Sequence, residues 1–168
     1  MEQIKATKKN RTLILIETAI CTAIIAVLSQ ISVPFIGGIP MTLQTLAVAL
    51  IGFILGKKNG TISMIVYILL GVVGIPVFAQ FSSGMGVLFG VTGGYIFGFI
   101  GMVFLCGLSE DFQKYLTKIF LSLAGLIVCH ICGVLQFAYV SKSSIINAFT
   151  IASLPYILKD ILSIIIAF

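Results

Sequence analysis

Pro76-Val77-Phe78-Ala79-Gln80-Phe81-Ser82-Ser83-Gly84-Met85-Gly86-Val87-Leu88-Phe89-Gly90-Val91-Thr92-Gly93-Gly94-Tyr95 is glycine-rich, aromatic and uncharged, and it lies between two strongly apolar runs. Its flanks read as membrane helices, which makes the stretch itself irregular backbone at or near membrane depth. Such backbone is tolerated only where protein packs around it or where it lines a cavity. The glycines at 84, 86, 90, 93 and 94 let main chain approach a bound molecule closely. The ligand is expected here.

Composition agrees with the flanks. The 168 residues are 60% hydrophobic and 9% charged, with mean hydropathy +1.23, whereas soluble domains carry about 25% charged residues. The chain reads as an all-α integral membrane protein with one membrane domain over residues 1–168. The first apolar run is too long for a signal-peptide core and lacks a cleavage site, so it is expected to stay as a helix. The pattern predicts six spans, roughly 12–33, 42–56, 60–78, 89–108, 117–140 and 149–168. The last stops at Phe168 inside an apolar run, so a truncated sixth helix is expected.

The net charge of +5 does not point to nucleic acid, because the cations sit at membrane ends. With a cytoplasmic N-terminus, Lys5, Lys8, Lys9, Arg11, Lys57, Lys58, Lys114 and Lys118 fall inside and only Lys142 outside. The positive-inside rule then predicts both termini in the cytoplasm, with membrane lipid headgroups meeting the basic ends.

Several motifs are excluded. Cys129-His130-x-Cys132 resembles a metal site on paper, but successive helical residues point about 100° apart and cannot converge on one ion. No metal is expected, and the cysteines at 21, 106, 129 and 132 read as small buried hydrophobes. His130 reads as a polar group facing another helix. Gly56-Lys57-Lys58-Asn59-Gly60 does not match a phosphate loop, and the glycines after Gly84 are misplaced for a dinucleotide fingerprint. No residue set supports covalent chemistry, so the chain is not expected to be an enzyme and needs no cofactor.

Other residues carry polar function or close packing. Ala19-x-x-x-Ala23 is a small-residue stripe, read either as packing within the bundle or as a docking face for another protein. Thr42 and Thr45 share a helical face with Gln44 to one side, which suits a cavity wall or ordinary caps. Lys159 and Asp160 are ionisable residues within a span, where charge is costly and usually functional. On a helical wheel Lys159, Asp160 and Ser163 fit one arc about 100° wide.

With these motifs in view, the chain resembles the BioY family, the biotin-specific substrate-binding (S) components of energy-coupling-factor (ECF) transporters. The resemblance runs through Pro40-Met41-Thr42-Leu43-Gln44-Thr45, Leu55-Gly56, Tyr67, Gly71 to Ala79, and Thr92-Gly93-Gly94-Tyr95-Ile96-Phe97-Gly98-Phe99. It implies a six-helix S-component bundle in a bacterial cell membrane that captures biotin with high affinity near the outer face. It also implies partnership with a transmembrane coupling subunit and two cytoplasmic ATPases, with Ala19 and Ala23 as the docking face. Carried onto this chain, the family's cavity comprises Thr42, Gln44, Gln80, Thr92, Gly93, Gly94, Tyr95 and Asp160.

Departures from the family pattern fall at two places. The last helix of the family is similar to Pro-x-x-x-Gly-Asp-x-x-Lys, whereas this chain has Lys159 in place of the glycine and Ser163 in place of the lysine. Val91 stands where proline is frequent. Biotin suits the expected site: Asp160 can accept from ureido N–H, Lys159 or Ser163 can donate to the ureido oxygen, and Phe78 and Tyr95 can pack on the rings. The Gly93 and Gly94 amides are expected to meet the carboxylate. The alternatives are an S component for another vitamin, and an intramembrane channel or enzyme using Asp160.

Overall fold

A computed structural model describes residues 2–168, with side chains from Arg11 onward apart from Ile36. Lys5, Lys8 and Lys9, counted above among the inside cations, have side chains outside the described residues. The order is α1 (Glu2–Gln30), β1 (Ser32–Val33), β2 (Met41–Thr42), α2 (Gln44–Val72), a short turn α3 (Met85–Leu88), α4 (Gly93–Ser109), α5 (Tyr115–Ser141), α6 (Ile145–Ala152) and α7 (Leu154–Ala167). The two strands form a small antiparallel hairpin, with Ser32 opposite Thr42.

α2 is two antiparallel arms. Gly56 has φ 70° and ψ 176°, a region open in practice only to glycine, and it breaks the helix at the basic turn. The Gln44 amide donates to the Tyr67 hydroxyl at 2.9 Å, although a straight helix would hold those residues about 34 Å apart. The arms 44–55 and 57–72 therefore correspond to the expected second and third spans.

The last expected span is also divided. Pro155 has no N–H to give the carbonyl four residues back, so the helix stops at Ala152 and restarts at Leu154. The two pieces meet at 50°. As continuous elements, α1, α2 and α5 have the length and hydropathy of a membrane span, and α6 with α7 makes a fourth across its bend. α2 meets that length only as the sum of its arms, and α4 is shorter, at 17 residues. The six expected segments are thus present as apolar stretches, but not as six unbroken spanning helices.

Boundaries differ where tertiary structure takes over the backbone. The first span was expected to reach 33 but ends at Gln30, because Ser32 and Val33 pair with β2. The second was expected from 42 but starts at Gln44 for the same reason. The third ends at Val72 instead of 78, just before Gly74 at φ 100° and Pro76.

Close backbone approach holds the bundle together. Gly94 packs so tightly on α5 that a Cβ there would overlap the Cys132 carbonyl, and one at Gly98 would lie 2.7 Å from the Cys129 Cα. Tyr67, Phe78, Ile25, Ile51, Met64, Met102 and Val103 fill the centre. Leu15, Ile54, Leu69, Ile127, Leu135 and Leu158 point outward from the helices, as lipid-facing residues of a multi-pass membrane protein do.

The two ends of the bundle differ in charge. Lys57 pairs with Asp111, and Lys118 with Glu110 at 2.7 Å, around the Gly56 break and the α4–α5 connection. The opposite end, where α1 finishes and segment 73–92 lies, carries Lys142 as its cation outside the cavity.

Candidate functional site

A cavity of about 290 Å³ opens within this weakly charged end, near the low edge of the range of about 300–1,000 Å³ for small-molecule sites. The β1–β2 hairpin, the start of α2, segment 78–92, α4, α5 and the α6–α7 break all contribute to its wall.

Segment 78–82 is held by α1. Gln30 donates through Nε2 to the Val77 and Phe78 carbonyls, both at 3.1 Å, while its Oε1 accepts from the Phe81 N–H at 2.8 Å. Ser29 and Tyr67 also donate to the Val77 carbonyl, at 2.5 and 3.0 Å. Within the segment, Gln80 and Phe81 take left-handed conformations, with φ 59° and 55°. These side-chain bonds replace the helical ones that the backbone has given up.

The ionic centre lies on the opposite wall. The Asp160 carboxylate, 5% exposed, pairs with Lys159 through Oδ1 and faces His130 Nε2 through Oδ2 at 3.3 Å. Lys159 also donates to the Thr42 carbonyl at 2.9 Å. His130 Nδ1 lies 2.8 Å from the Ser153 hydroxyl, which is 3.1 Å from the Tyr95 hydroxyl. Tyr95 donates to the Ala152 carbonyl, one of the groups released by the break before α7.

Of the residues named from sequence, Thr42, Gln44, Phe78, Gln80, Thr92, Tyr95, Lys159 and Asp160 border the cavity. Three do not. Gly93 and Gly94 pack against Leu88 and α5, and the Gly93 N–H is taken by the Gly90 carbonyl at 3.3 Å, so the expected carboxylate contact has no free amide at Gly93. Ser163 lies one turn beyond Lys159 and donates back to its carbonyl at 3.0 Å.

Two of the wall residues are committed elsewhere as well. The ring of Phe78 is wedged over Gly71 and meets Tyr67 edge-on at 5.6 Å. Gln44 is occupied with Thr42, at 3.0 Å, and with Tyr67.

Sequence reasoning missed Tyr156, which lines the cavity and donates to the Ile39 carbonyl at 2.6 Å. It placed His130 between helices but not in the site, although this is the chain's single histidine. Ala19 and Ala23 lie on the exposed side of α1, away from the buried line Thr18, Cys21, Thr22 and Ile25. No cluster of metal-binding side chains occurs among the described residues.

Fold and site together define a membrane-embedded helical bundle with one end built around a small-molecule cavity. The BioY family model matches residues 2–168, and the chain belongs to that family. It is 40% identical over 157 residues to the biotin transporter BioY of Thermotoga maritima, covering 91% of this chain and 90% of that protein. It is 42% identical over 143 residues to the probable biotin transporter BioY of Pyrococcus horikoshii, covering 85% and 84%. Among solved structures, the S-component for biotin from an ECF-type ABC transporter matches with TM-score 0.84 at 25% identity, covering 95% of this chain and 88% of that one.

Proposed function

We propose that this chain captures biotin at the outer membrane face as the substrate-binding component of an ECF transporter. The observation that carries the reading is the side-by-side placement of an anionic acceptor, Asp160, and a cationic donor, Lys159, on a cavity wall. A cyclic urea offers N–H and C=O side by side on its edge, and this pair matches that edge with a charge-assisted bond to each. Tyr95 and Phe78 supply apolar wall for the thiophane ring. Gln80 and Thr92, on the segment between α2 and α4, replace the Gly93 and Gly94 amides as groups for the valerate carboxylate.

The chain contributes binding and no bond-making step. The family names and the related S component support transport, and the energy comes from two cytoplasmic ATPases reached through a transmembrane coupling subunit. Ala19 and Ala23 face that subunit. The charged end, with Lys57, Lys58, Lys114 and Lys118, lies in the cytoplasm of a bacterial cell together with both termini.

Thermal unfolding of the detergent-solubilised protein with biotin, thiamin or riboflavin tests the ligand. Binding to the native state alone adds about 2.7 kcal/mol at a hundred times Kd. Stabilisation by biotin is expected; stabilisation by another vitamin with none by biotin overturns the assignment.

A further inference from the structure

We propose that His130 and Ser153 are positioning residues for biotin recognition: they aim the Asp160 carboxylate and keep it available as an acceptor. The inference rests on the reading of Asp160 as the ureido acceptor.

Ser153 is fully buried at the joint between α6 and α7, and its hydroxyl lies 2.8 Å from His130 Nδ1. The Tyr95 hydroxyl gives its proton to the Ala152 carbonyl and lies 3.1 Å from the Ser153 hydroxyl, so Ser153 is held between Tyr95 and the imidazole. Nε2, the other ring nitrogen, faces Asp160 Oδ2 at 3.3 Å, and a proton there is what holds the carboxylate. The two ring nitrogens thus face different partners, Nδ1 the Ser153 hydroxyl and Nε2 the Asp160 carboxylate.

This arrangement has a consequence for the ligand. A carboxylate has about four lone-pair sites. Lys159 faces Oδ1, His130 faces Oδ2 and the Thr45 hydroxyl is a third donor to the same carboxylate, so Asp160 is held from α2, α5 and α7 with acceptor capacity left for the ligand. A carboxylate gripped by Lys159 alone would swing toward the cation and turn away from the ligand. His130 comes from α5, Thr45 from α2 and Lys159 from α7, so the acceptor is not fixed by its own helix alone. Preorganisation of this kind raises affinity by removing the ordering cost at binding.

The test measures the affinity of purified protein for biotin and for an analogue methylated on the ureido nitrogens, in wild type and in Asp160→Asn, His130→Ala, His130→Gln and Ser153→Ala. Wild type is expected to prefer biotin strongly. Asp160→Asn examines the underlying reading: unchanged affinity there refutes Asp160 as the acceptor and leaves His130 nothing to position. With that loss in hand, His130→Ala is expected to weaken biotin about tenfold or more and to shrink the preference over the methylated analogue. His130→Gln, whose amide can still donate to Asp160, is expected to retain most of both. Ser153→Ala is expected to fall between them.

A purely structural role would lower both ligands' affinities equally and leave the preference intact, which overturns the proposal. Equal loss in His130→Gln and His130→Ala also overturns it. If His130→Ala does not fold, His130→Gln and Ser153→Ala still decide, because an unchanged preference in Ser153→Ala contradicts the relay.

Discussion

The Lys159 ammonium donates to the main-chain carbonyl of Thr42 at 2.9 Å, joining residues 117 positions apart. One cation thus ties α7 to the hairpin strand that precedes α2, and the same group neutralises Asp160. The contact explains why a lysine can stand immediately before the aspartate. Its stem runs along the wall while its head reaches the carbonyl, as long charged side chains do when their termini find polar groups.

Gln30 is expected to control how long the ligand stays. It bonds both sides of the strained turn at Gln80 and Phe81, and that turn supplies Phe78, Ala79 and Gln80 to the cavity. Gln30→Ala strips the Phe81 N–H and the Phe78 carbonyl of this side-chain partner, while Val77 keeps Ser29 and Tyr67. Each lost bond is worth about 0.5–1.5 kcal/mol. Biotin dissociation, followed by stopped flow, should accelerate roughly tenfold with a smaller change in association rate. Equal rates in variant and wild type would show that the turn holds itself.

Glycine positions separate packing from open space. Gly94→Ala forces a methyl against the Cys132 carbonyl, whereas a Cβ at Gly86 meets nothing within 4 Å. Overpacking of this sort costs about 1–3 kcal/mol, so thermal unfolding in detergent should show a clear loss for Gly94→Ala and little change for Gly86→Ala. A silent Gly94→Ala would mean that α4 and α5 can separate without penalty.

The apolar segments were legible because lipid imposes a strong length and hydropathy constraint that local sequence must meet. Segment 76–95 was legible as a ligand wall because its glycines and lack of charge fit only irregular, protein-packed backbone. What escaped depends on partners distant in sequence. Thr42 looks like the start of a helix until Ser32 pairs with it, and nothing local distinguishes the two. Gly93 and Gly94 look like ligand-facing amides, yet α5 claims their surface. His130 is separated from Asp160 by the α5–α6 connection and a helix break, so wheel arguments within one helix could not join them.

The exposed stripe of α1 gives a prediction that separates binding from uptake. Ala19 and Ala23 are exposed, so Ala19→Trp or Ala23→Trp should leave the cavity and biotin affinity unchanged. If the coupling subunit docks there, the indole holds the helices apart and uptake in cells should fall to background. Biotin binding to purified protein, set beside uptake by cells expressing the whole transporter, makes the comparison. Undiminished uptake would place the docking face elsewhere on the bundle.

The last prediction concerns the position of the cation. Lys159→Ala removes the partner of a buried carboxylate, and breaking such a pair by one member costs about 3–5 kcal/mol. The variant should bind biotin at least tenfold more weakly and unfold at lower temperature. Ser163 is one turn further along α7, offset by about 40°, and buried with its hydroxyl on the Lys159 carbonyl. A lysine stem spans that turn, so Lys159→Gly combined with Ser163→Lys should return an ammonium to Asp160 from the other side and recover much of the affinity. It will not restore the bond to the Thr42 carbonyl, so recovery of binding is expected to exceed recovery of thermal stability. Titration with biotin and thermal unfolding of the same three proteins read the two effects separately. A double variant as weak as Lys159→Ala would show that the cation must sit at 159 because its hold on Thr42, and not its charge beside Asp160, shapes the cavity.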